Sequence, residues 1–289
     1  MDSVMNTSVI VSTYNSPESL RKCLLSLRVQ TRQPDEIIVA DDGSGDETRR
    51  VIESFQADMP HLQHVWHEDR GWTKPVILNL ALARVTSDYV IFCDGDCMLR
   101  ADFVESHCRH SRPRCFISSS PINIPAPIHG EFRDEDILSN RVFQFDCLAE
   151  YGGIQPKFRR RLHPGRWESL LNLVTYRYCV FHGSNASAWL SDILAVNGFD
   201  ETFQYGSDDR EFGVRLRNAG VASKWLKHSL IQLHLGHPKG YDSQQSRENR
   251  WRFRKLFFSG VTRVEPGIDS AVARSRQRVE FQLARSEAA

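Results

Sequence analysis

Apolar runs typical of β-strands alternate with helical patterns along the first hundred residues. The runs are "SVIVSTYN", "DEIIVADD" and "DYVIFCDGD", and "HLQHVWHED" has the composition of a further strand between the last two. After a Ser-Pro-Glu helix start, Leu20, Leu24 and Leu27 recur at helical spacing. Strands and helices in this order predict a mostly parallel sheet flanked by helices. We therefore expect an α/β fold.

Composition is that of an ordinary globular protein. Of the 289 residues, 40% are hydrophobic and 25% are charged, and the net charge is +1. A net charge this close to zero argues against a basic surface that binds a polyanion, so we expect no nucleic-acid partner. The sequence has no apolar run near the ~20 residues that span a bilayer and no secretory signal pattern. The seven cysteines have no C-x-x-C spacing, which favours a reduced, cytoplasmic setting.

Polar and acidic residues follow three of the predicted strands. They form the segments Ser12–Asn15, Asp41–Ser44 and Asp94–Asp96. Because ligands of such sheets bind at the carboxyl ends of the strands, we expect the three segments to line one crevice. Two carboxylates one residue apart at the end of a buried strand are costly unless a cation compensates them.

The pattern changes after residue 113. Prolines in "SSSPINIPAPIHG" predict an irregular or extended connection. The segment "SDDREFGVRLRNAG" predicts a helix that ends at Gly220, in which Glu211 and Arg215 form a structural i,i+4 pair. The segment "KWLKHSLIQLHLGHP" predicts one last strand.

Four segments resemble family-2 glycosyltransferases of the GT-A fold in composition and order. They are "SVIVSTYN", "EIIVADDGSGDET", "GWTKPVILNLALARVTSDYVIFCDGDC" and "NGFDETFQYGSDDREFGVRL". The later part resembles the galactosyltransferase-type module of bacterial polysaccharide polymerases. The resemblance covers most of residues 8–240, and it implies transfer of a sugar from a nucleotide-diphosphate donor.

The resemblance also implies a domain organisation. A single GT-A (Rossmann-like) catalytic domain is expected over residues 1–245, followed by a helical C-terminal extension over 246–289. Within the catalytic domain, 1–112 is the nucleotide-binding half and 113–245 is the acceptor and catalytic half.

For the donor, the resemblance implies Mn²⁺ or Mg²⁺ held by the D-x-D motif. Asp94 contacts ribose or reaches the metal through water, and Asp96 binds the metal directly. A histidine near the end of the last predicted strand completes the coordination, and His234 is preferred over His237. The divalent cation turns repulsion between these acids and a diphosphate into attraction. Residues expected at the nucleotide are Ser12, Thr13, Tyr14, Asn15, Asp41, Asp42, Lys74, Asn79 and Asp94, with a plain surface role as the alternative for Lys74.

The segment "YGSDDREF" resembles the motif W-G-G-E-D-x-E-F of this family. It departs from that motif at Tyr205, Ser207 and Asp208. Asp209 matches the general base of inverting members, and Asp208 matches its acidic neighbour. We expect the helix N-terminus to lower the pKa of both acids; the alternative is that they only favour the helix dipole. Residues expected to line the sugar or acceptor pocket are Gly183, Asn185, Trp189 and Tyr205, with a core position as the alternative for Trp189.

The segment "RENRWRFRKLFF" interleaves basic and aromatic residues. We favour a helix that buries Trp251 while the arginines stay in solvent. The alternative is peripheral contact with an anionic membrane surface through this C-terminal segment.

Together these patterns favour a metal-dependent, inverting glycosyltransferase. Its donor would be a nucleotide-diphosphate sugar, with UDP-sugars first, and its acceptor a glycan or lipid-linked hydroxyl in cell-surface polysaccharide or lipopolysaccharide assembly. It would act in the cytoplasm or at the inner face of the membrane. Two other functions stay open: a non-catalytic nucleotide-sugar-binding module, and a D-x-D phosphohydrolase of the haloacid dehalogenase type. The phosphohydrolase is disfavoured because Met98 stands where that chemistry uses a hydroxylated residue.

Overall fold

The computed structural model describes residues 5–125, 131–152, 155–175, 180–203, 206–236 and 243–274. The strands are β1 (Thr7–Thr13), β2 (Glu36–Asp41), β3 (Leu62–Trp66), β4 (Tyr89–Asp94), β5 (Cys97–Leu99), β6 (Cys115–Ser118), β7 (Ile122–Ile124), β8 (Asn185–Trp189), β9 (Ala222–Trp225) and β10 (Gln232–Leu235). The helices are α1 (Pro17–Arg28), α2 (Asp46–Gln56), α3 (Lys74–Leu82), α4 (Phe103–His110), α5 (Asp134–Leu138), α6 (Phe145–Glu150), α7 (Arg159–Leu162), α8 (Glu168–Val174), α9 (Leu190–Ala195), α10 (Asp208–Asn218) and α11 (Ser243–Phe257). The strands and helices expected in the first hundred residues are all present.

The main sheet has seven strands in the order β3-β2-β1-β4-β8-β6-β9. β1 pairs in parallel with β2 and β4, and β3 continues the parallel part beyond β2. β8 runs antiparallel to both of its neighbours, β4 and β6. The predicted mostly parallel sheet flanked by helices is therefore confirmed.

The register of the central strands aligns their polar ends. Ser12 at the end of β1 lies opposite Asp94 of β4, and Thr13 lies opposite Asp41 of β2. Residues far apart in the sequence therefore meet at one edge of the sheet, which is also where the connections to α1, α2 and β5 begin.

The last predicted strand is two strands in two sheets. β9 pairs with β6 in the main sheet, whereas β10 joins β5 and β7 in a small three-stranded sheet. A turn separates them, in which the Leu230 amide donates to the Leu226 carbonyl at 3.1 Å. Both of these leucines are buried, which is why the run looks continuous in the sequence although it contains a turn.

Both faces of the main sheet are buried. Val9 and Val11 belong to the hydrophobic cluster that includes α1 and α2, whereas Ile10 belongs to the cluster that includes α3 and α10. Successive side chains of a strand point to opposite faces, so burial on both sides requires an uninterrupted apolar run. This explains why the strand signal was clear in the sequence.

α10 carries an ion pair into the core. Arg215 donates from Nε and Nη2 to the two carboxylate oxygens of Glu211, at 2.6 and 2.7 Å, and both side chains are fully buried. Arg215 also donates to the carbonyls of Val196 and Gly198, each at 2.7 Å. The predicted structural i,i+4 pair is present, and it ties α10 to the turn that follows α9.

The C-terminal helix α11 differs from its predicted packing. Trp251 is 62% exposed, so the interpretation that this helix buries Trp251 is wrong. The guanidinium carbon of Arg252 instead lies 4.1 Å from the ring centre of Phe203, and its nitrogens donate to the hydroxyl and carbonyl of Thr202. A guanidinium can stack on an aromatic face and still satisfy its hydrogen bonds. The side of α11 that carries Arg252 therefore packs against the segment of Thr202 and Phe203.

Two further properties concern the whole described chain. Among the described residues, no helix combines the length and apolar character needed to cross a membrane. The six described cysteines are free thiols with buried side chains, and Cys179 lies outside the described residues.

Replacing Arg215 with methionine should cost about 3–5 kcal/mol of unfolding free energy, because Glu211 and two carbonyls lose their buried partner. Denaturant unfolding followed by circular dichroism measures the loss. The double variant Glu211→Leu/Arg215→Met should recover part of it, since the unpaired carboxylate is then gone. Stability of Arg215→Met within about 0.5 kcal/mol of the wild type would contradict this account.

Candidate active site

A cavity of about 570 Å³ opens at the carboxyl ends of β1, β2 and β4. Its walls are the ends of these strands, the segment before α3 and the β4–β5 turn. The lining residues are Ser12, Thr13, Tyr14, Asn15, Ser16, Ala40, Asp42, Gly71, Trp72, Lys74, Ile77, Asp94, Gly95 and Asp96. The three polar strand ends meet at one crevice, whose size is typical of small-molecule sites.

Asp94 is compensated by a cation of the protein itself. Its Oδ1 accepts hydrogen bonds from Lys74 Nζ and Ser12 Oγ, both at 2.6 Å. Burial alone would lower the pKa of Lys74, but the negative charges of Asp94, Asp208 and Asp209 outweigh this effect and raise that pKa above its usual value. Lys74 is therefore protonated at neutral pH. As the first residue of α3, it supplies positive charge to the strand end.

Gly95 occupies a point where two backbones lie very close. Its amide donates to the Ser12 carbonyl at 2.7 Å. A Cβ at this position would lie 3.2 Å from that oxygen and from the side chain of Thr13, closer than ordinary van der Waals contact. Glycine therefore lets the β4–β5 turn close against the end of β1, which keeps Asp94 and Asp96 in the cavity wall.

Asp96 and His234 come together from distant parts of the chain. Asp96 Oδ2 lies 3.4 Å from His234 Nε2, and both side chains are partly buried. The antiparallel register of β10 and β5 sets His234 opposite Cys97, and the Leu235 amide donates to the Asp96 carbonyl at 2.8 Å. His234 thus lies beside the D-x-D motif, whereas His237 lies outside the described residues.

The chemistry of this pair suits a hard divalent cation. Both Mn²⁺ and Mg²⁺ accept carboxylate oxygen and complete an octahedron with phosphate oxygens and water, whereas an imidazole nitrogen suits Mn²⁺ better than Mg²⁺. Within the described ranges, no group of three or more Asp, Glu, His or Cys side chains is arranged to hold a metal ion. The pair therefore fits an ion shared between the protein and a bound diphosphate better than a closed, all-protein site.

Asp42 and Tyr14 form the part of the cavity wall near β2. The Thr73 hydroxyl and amide donate to the Asp42 carboxylate at 2.6 and 2.9 Å, and His67 Nε2 lies 3.1 Å from it. The Tyr14 hydroxyl donates to Asp69 at 3.1 Å. These contacts hold a carboxylate and an aromatic ring at one end of the cavity.

Asp41 and Asn15 organise the turn after β2. Asp41 accepts a hydrogen bond from the Ser44 amide at 2.8 Å, and its Oδ2 lies 3.0 Å from His64 Nε2. The Asn15 amide donates to Ser44 Oγ, and its side-chain oxygen accepts from the Gly45 amide. Asp41 is fully buried and outside the cavity lining, so the expectation that it contacts the nucleotide is corrected. Its carboxylate is committed to the turn.

The acids at the start of α10 lie close enough to act on Lys74. Asp208 is buried, and this burial, together with the charge of Asp209, raises the pKa of Asp208 to about 7. The expectation that the helix N-terminus lowers both pKa values is wrong for Asp208, because lost hydration outweighs the helix dipole. Asp209 is only partly buried, and it accepts hydrogen bonds from the amides of Gly183 at 3.2 Å and Arg210 at 2.7 Å.

Asn79 does not belong to the site. It is fully buried on α3, where its side-chain nitrogen donates to the Phe199 carbonyl and its oxygen accepts from the Phe199 amide, each at 2.9 Å. Its predicted contact with the nucleotide is corrected, because both ends of the amide are occupied by backbone. Tyr205, another predicted site residue, lies outside the described residues.

The two residues predicted on β8 are also away from the cavity lining. Trp189 lies opposite Tyr89 at the start of β4, the far end of the sheet, and its ring nitrogen donates to the Arg112 carbonyl at 2.7 Å. Asn185 is fully buried and donates to the Leu230 carbonyl. The expectation of a sugar contact is corrected for Trp189 because the antiparallel direction of β8 takes it to the opposite edge, and for Asn185 because its side chain is buried.

Comparison with known families agrees with this geometry. Residues 8–112 match the family model described as glycosyl transferase family 2, and residues 171–238 match the model described as the N-terminal domain of galactosyltransferase. The first match places residues 8–112 of this chain in glycosyltransferase family 2.

Three relatives have sequences that are 25–29% identical to this chain. The uncharacterized glycosyltransferase YfnE of Bacillus subtilis is 27% identical over 83% of this chain and 67% of that protein. The validoxylamine A glucosyltransferase of Streptomyces hygroscopicus subsp. limoneus is 29% identical over 74% of this chain and 48% of that protein. The chondroitin synthase of Escherichia coli is 25% identical over 83% of this chain and 36% of that protein. The chain thus spans about two thirds of the first relative and half or less of the other two.

Solved structures share the fold of the family-2 enzyme at low sequence identity. GalNAc-T7 with UDP, GalNAc and Mn²⁺ has a TM-score of 0.62 at 13% identity, over 88% of this chain and 48% of that one. The mannosyltransferase PcManGT of Pyrobaculum calidifontis, in complex with GDP-Man and Mn²⁺, has a TM-score of 0.56 at 17% identity, over 99% of this chain and 82% of that one. S. aureus TarS 1–349 in complex with UDP has a TM-score of 0.57 at 17% identity, over 92% of this chain and 68% of that one. These likenesses show that the fold is GT-A.

Sequence reasoning missed part of the glycosyltransferase cavity. Trp72 and Gly71 line it from the segment before α3, and Thr73 of the same segment donates to Asp42. The sequence indicates this segment by the short stretch "GWTK" between a strand and a helix, of which only Lys74 is predicted to contact the nucleotide. The partnership of His67 with Asp42 had no such signal, because it depends on how β3 packs beside β2.

The pKa of Asp208 predicts a stability change with pH. In the folded chain this carboxyl titrates near pH 7, whereas in the unfolded chain it titrates near its ordinary value of about 4, so wild-type stability falls as the pH rises from 4 to 7. Asp208→Asn removes that loss. We therefore compare the unfolding free energy of the variant with that of the wild type at each pH. This difference should favour the variant by about 2–4 kcal/mol more at pH 8 than at pH 4.

Urea unfolding at both pH values measures this difference. Glu53→Gln, on the exposed side of α2, is the matched control and should give the same stability difference at both pH values. An equal effect of Asp208→Asn at pH 4 and pH 8 would contradict the raised pKa.

Proposed function

We propose that this chain transfers a sugar from a nucleotide-diphosphate donor, UDP-sugars first, to an acceptor hydroxyl in a metal-dependent, inverting reaction. The observation that carries the proposal is the convergence of acids from two distant segments on one lysine. Asp94 is hydrogen-bonded to Lys74, and the charges of Asp208 and Asp209 act on the same ammonium group. This convergence supports a diphosphate site and a candidate base near one cavity, as a single displacement requires.

In this proposal the nucleotide occupies the 570 Å³ cavity. Asp42 accepts a hydrogen bond from the base, with its orientation held by Thr73 and His67. Tyr14, half exposed at the cavity wall, covers the base. Two of the similar structures contain UDP, which supports a UDP-sugar as the donor, and a third contains GDP-Man.

Mn²⁺ or Mg²⁺ would be held by Asp96 and His234, with Asp94 reaching it through water. Bound there, the ion offsets the charge of the diphosphate and stabilises the charge that develops as the glycosidic bond breaks. Lys74 holds Asp94 in place and adds a positive charge on the same side of the cavity. Similar structures that contain Mn²⁺ support this assignment.

Asp209 is proposed as the general base. The Gly183 amide holds its Oδ2, and the carboxylate stays partly exposed, so an acceptor hydroxyl can reach it. Asp208 is less suited to this role, because its side chain is buried and therefore less accessible to an acceptor hydroxyl. We assign Asp208 to the electrostatics of the site instead, since its charge acts on Lys74.

The acceptor proposed is a glycan or a lipid-linked hydroxyl, in polysaccharide or lipopolysaccharide assembly at the cytoplasmic side of the membrane. The named relatives, a validoxylamine A glucosyltransferase and a chondroitin synthase, support the reaction class more than the acceptor.

A non-catalytic nucleotide-sugar-binding module is the main alternative. Metal-dependent hydrolysis of a panel of sugar nucleotides separates the two: turnover supports the transferase, and binding without turnover of any donor supports the module. The phosphohydrolase alternative is disfavoured, since Met98 is fully buried on β5 and offers no hydroxyl.

Asp96→Ala should remove the Mn²⁺-dependent part of UDP affinity, weakening binding at least about 100-fold, because the diphosphate then meets uncompensated charge. Isothermal titration with and without Mn²⁺ measures it. The exposed Asp46 provides the control Asp46→Ala, which should bind as the wild type does. Unchanged UDP affinity of Asp96→Ala in Mn²⁺ would refute the metal role.

Asp209→Asn should leave UDP affinity intact and lower the rate by about 10²–10⁴, the usual contribution of a general base. Release of UDP from the turned-over donor, with water or an added glycan as acceptor, gives the assay. The exposed Glu47 on α2 supplies the control Glu47→Gln. A wild-type rate in Asp209→Asn would assign the base elsewhere or indicate retention of configuration.

A further inference from the structure

The helix α8 (Glu168–Val174) turns its apolar side outward. Trp167, directly before the helix, is 53% exposed, and Leu170, Leu173 and Val174 are 48%, 72% and 68% exposed. At about 100° per residue, these four positions lie within an arc of about 120° on one side of the helix. Contiguous exposed apolar side chains of this size mark an interaction surface more often than free surface.

The opposite side of α8 is polar and docks on the protein. Asn172 is buried, donates to Ser229 Oγ at 2.8 Å and accepts from the His228 amide. The Ser229 hydroxyl donates to Glu168 at 2.5 Å. The His110 side chain beside this carboxylate, together with the bond from Ser229, lowers the pKa of Glu168 to about 2. An ordinary surface helix has the reverse arrangement, with its apolar side against the core. The polar side of α8 is satisfied, and the apolar side faces outward.

Exposed basic residues precede this apolar side in the chain. Lys157, Arg159, Arg160 and Arg166, in the segment just before α8, are all exposed. The single acid of residues 155–175 is Glu168, which faces inward. Because the whole chain has a net charge of +1, this excess is local.

The segment is fixed to the fold rather than loosely attached. Arg161 is buried and donates to the carbonyls of Ser120, Pro121 and Lys227. The Leu162 carbonyl accepts from Arg100 at 3.2 Å. The exposed apolar and basic side chains therefore project from an anchored support.

We infer that this basic–apolar face, formed by Trp167, Leu170, Leu173 and Val174 with Lys157, Arg159, Arg160 and Arg166, docks on an anionic lipid bilayer. Apolar side chains in one arc, preceded in the chain by exposed lysine and arginine, match the acyl boundary and the negative headgroups of such a surface. A symmetric dimer formed through this face is disfavoured, because the basic residues of one copy would lie close to those of the other.

The inference concerns a different segment from α11, and it goes beyond the proposed transfer reaction. Ser229, to which α8 is bonded, precedes His234 by five residues, so the two are at most about 17 Å apart along the chain. Docking through α8 would therefore hold the candidate metal pair near the headgroup layer, where a lipid-linked acceptor presents its hydroxyl. That last consequence rests on the proposed function; the docking itself does not.

Sedimentation of the full chain with vesicles tests the inference. We expect binding to phosphatidylcholine vesicles that contain phosphatidylglycerol, and at least about tenfold weaker binding to phosphatidylcholine alone. Leu173→Gln/Val174→Gln should weaken binding to the anionic vesicles at least about tenfold, because two apolar anchors are lost. Lys157→Gln/Arg160→Gln should have a similar effect that added salt reproduces in the wild type.

Leu194→Gln is the matched control, since this leucine on α9 is 46% exposed and lies outside the face. It should bind vesicles as the wild type does. Circular dichroism melting establishes that each variant is folded, which is expected because the altered side chains are exposed. A second readout, quenching of tryptophan fluorescence by brominated lipid, should decrease in Trp167→Phe.

Three results would overturn the inference. One is absence of binding to the anionic vesicles, and another is wild-type binding by the Leu173→Gln/Val174→Gln variant. The third is a dimer, detected by light scattering, that this variant dissociates while no vesicle binding occurs. Donor hydrolysis is measured without vesicles, so a negative vesicle result leaves the transferase proposal standing.

Discussion

The ion pair between Lys74 and Asp94 makes the negative edge of the sheet possible. Asp94, Asp208 and Asp209 all act on this one ammonium group, whose pKa is raised despite burial. Burial, together with the charge of Asp209, raises the pKa of Asp208 to about 7. Three acids share one lysine at this edge, so the proposed site would attract a further cation. The pair thus connects the electrostatics of the fold to the chemistry proposed for it.

Much of the first half of the fold was predictable, and the reason is physical. The central strands are buried on both faces, so their apolar runs are continuous and end abruptly in polar residues such as Ser12 and Asp94. Parallel strands bring such ends to one edge, which allowed the crevice to be predicted. The acids of α10 are identified through a family motif, and their charges act on Lys74, whereas their role in the reaction is a proposal.

What could not be predicted depends on packing between distant segments. Asn79 looks like a polar residue available to a ligand, yet both ends of its amide bond the backbone of Phe199. Trp189 lies at the edge of the sheet away from the cavity because β8 is antiparallel to β4. The five residues of β8 do not encode this direction. Trp251 is exposed because Arg252 docks on Phe203 instead. In each case the deciding partner lies far away in the sequence, and local periodicity carries no information about it.

The small sheet adds a consequence for how the protein forms. Asp96 is adjacent to β5, but His234 arrives on β10, which can pair with β5 and β7 only after the chain has been synthesised through Leu235. During translation the crevice at the ends of β1, β2 and β4 can assemble while His234 is still absent. Contacts of such long sequence separation form late in folding. Capture of an ion by the complete pair would thus be confined to chains whose second half has already found its place.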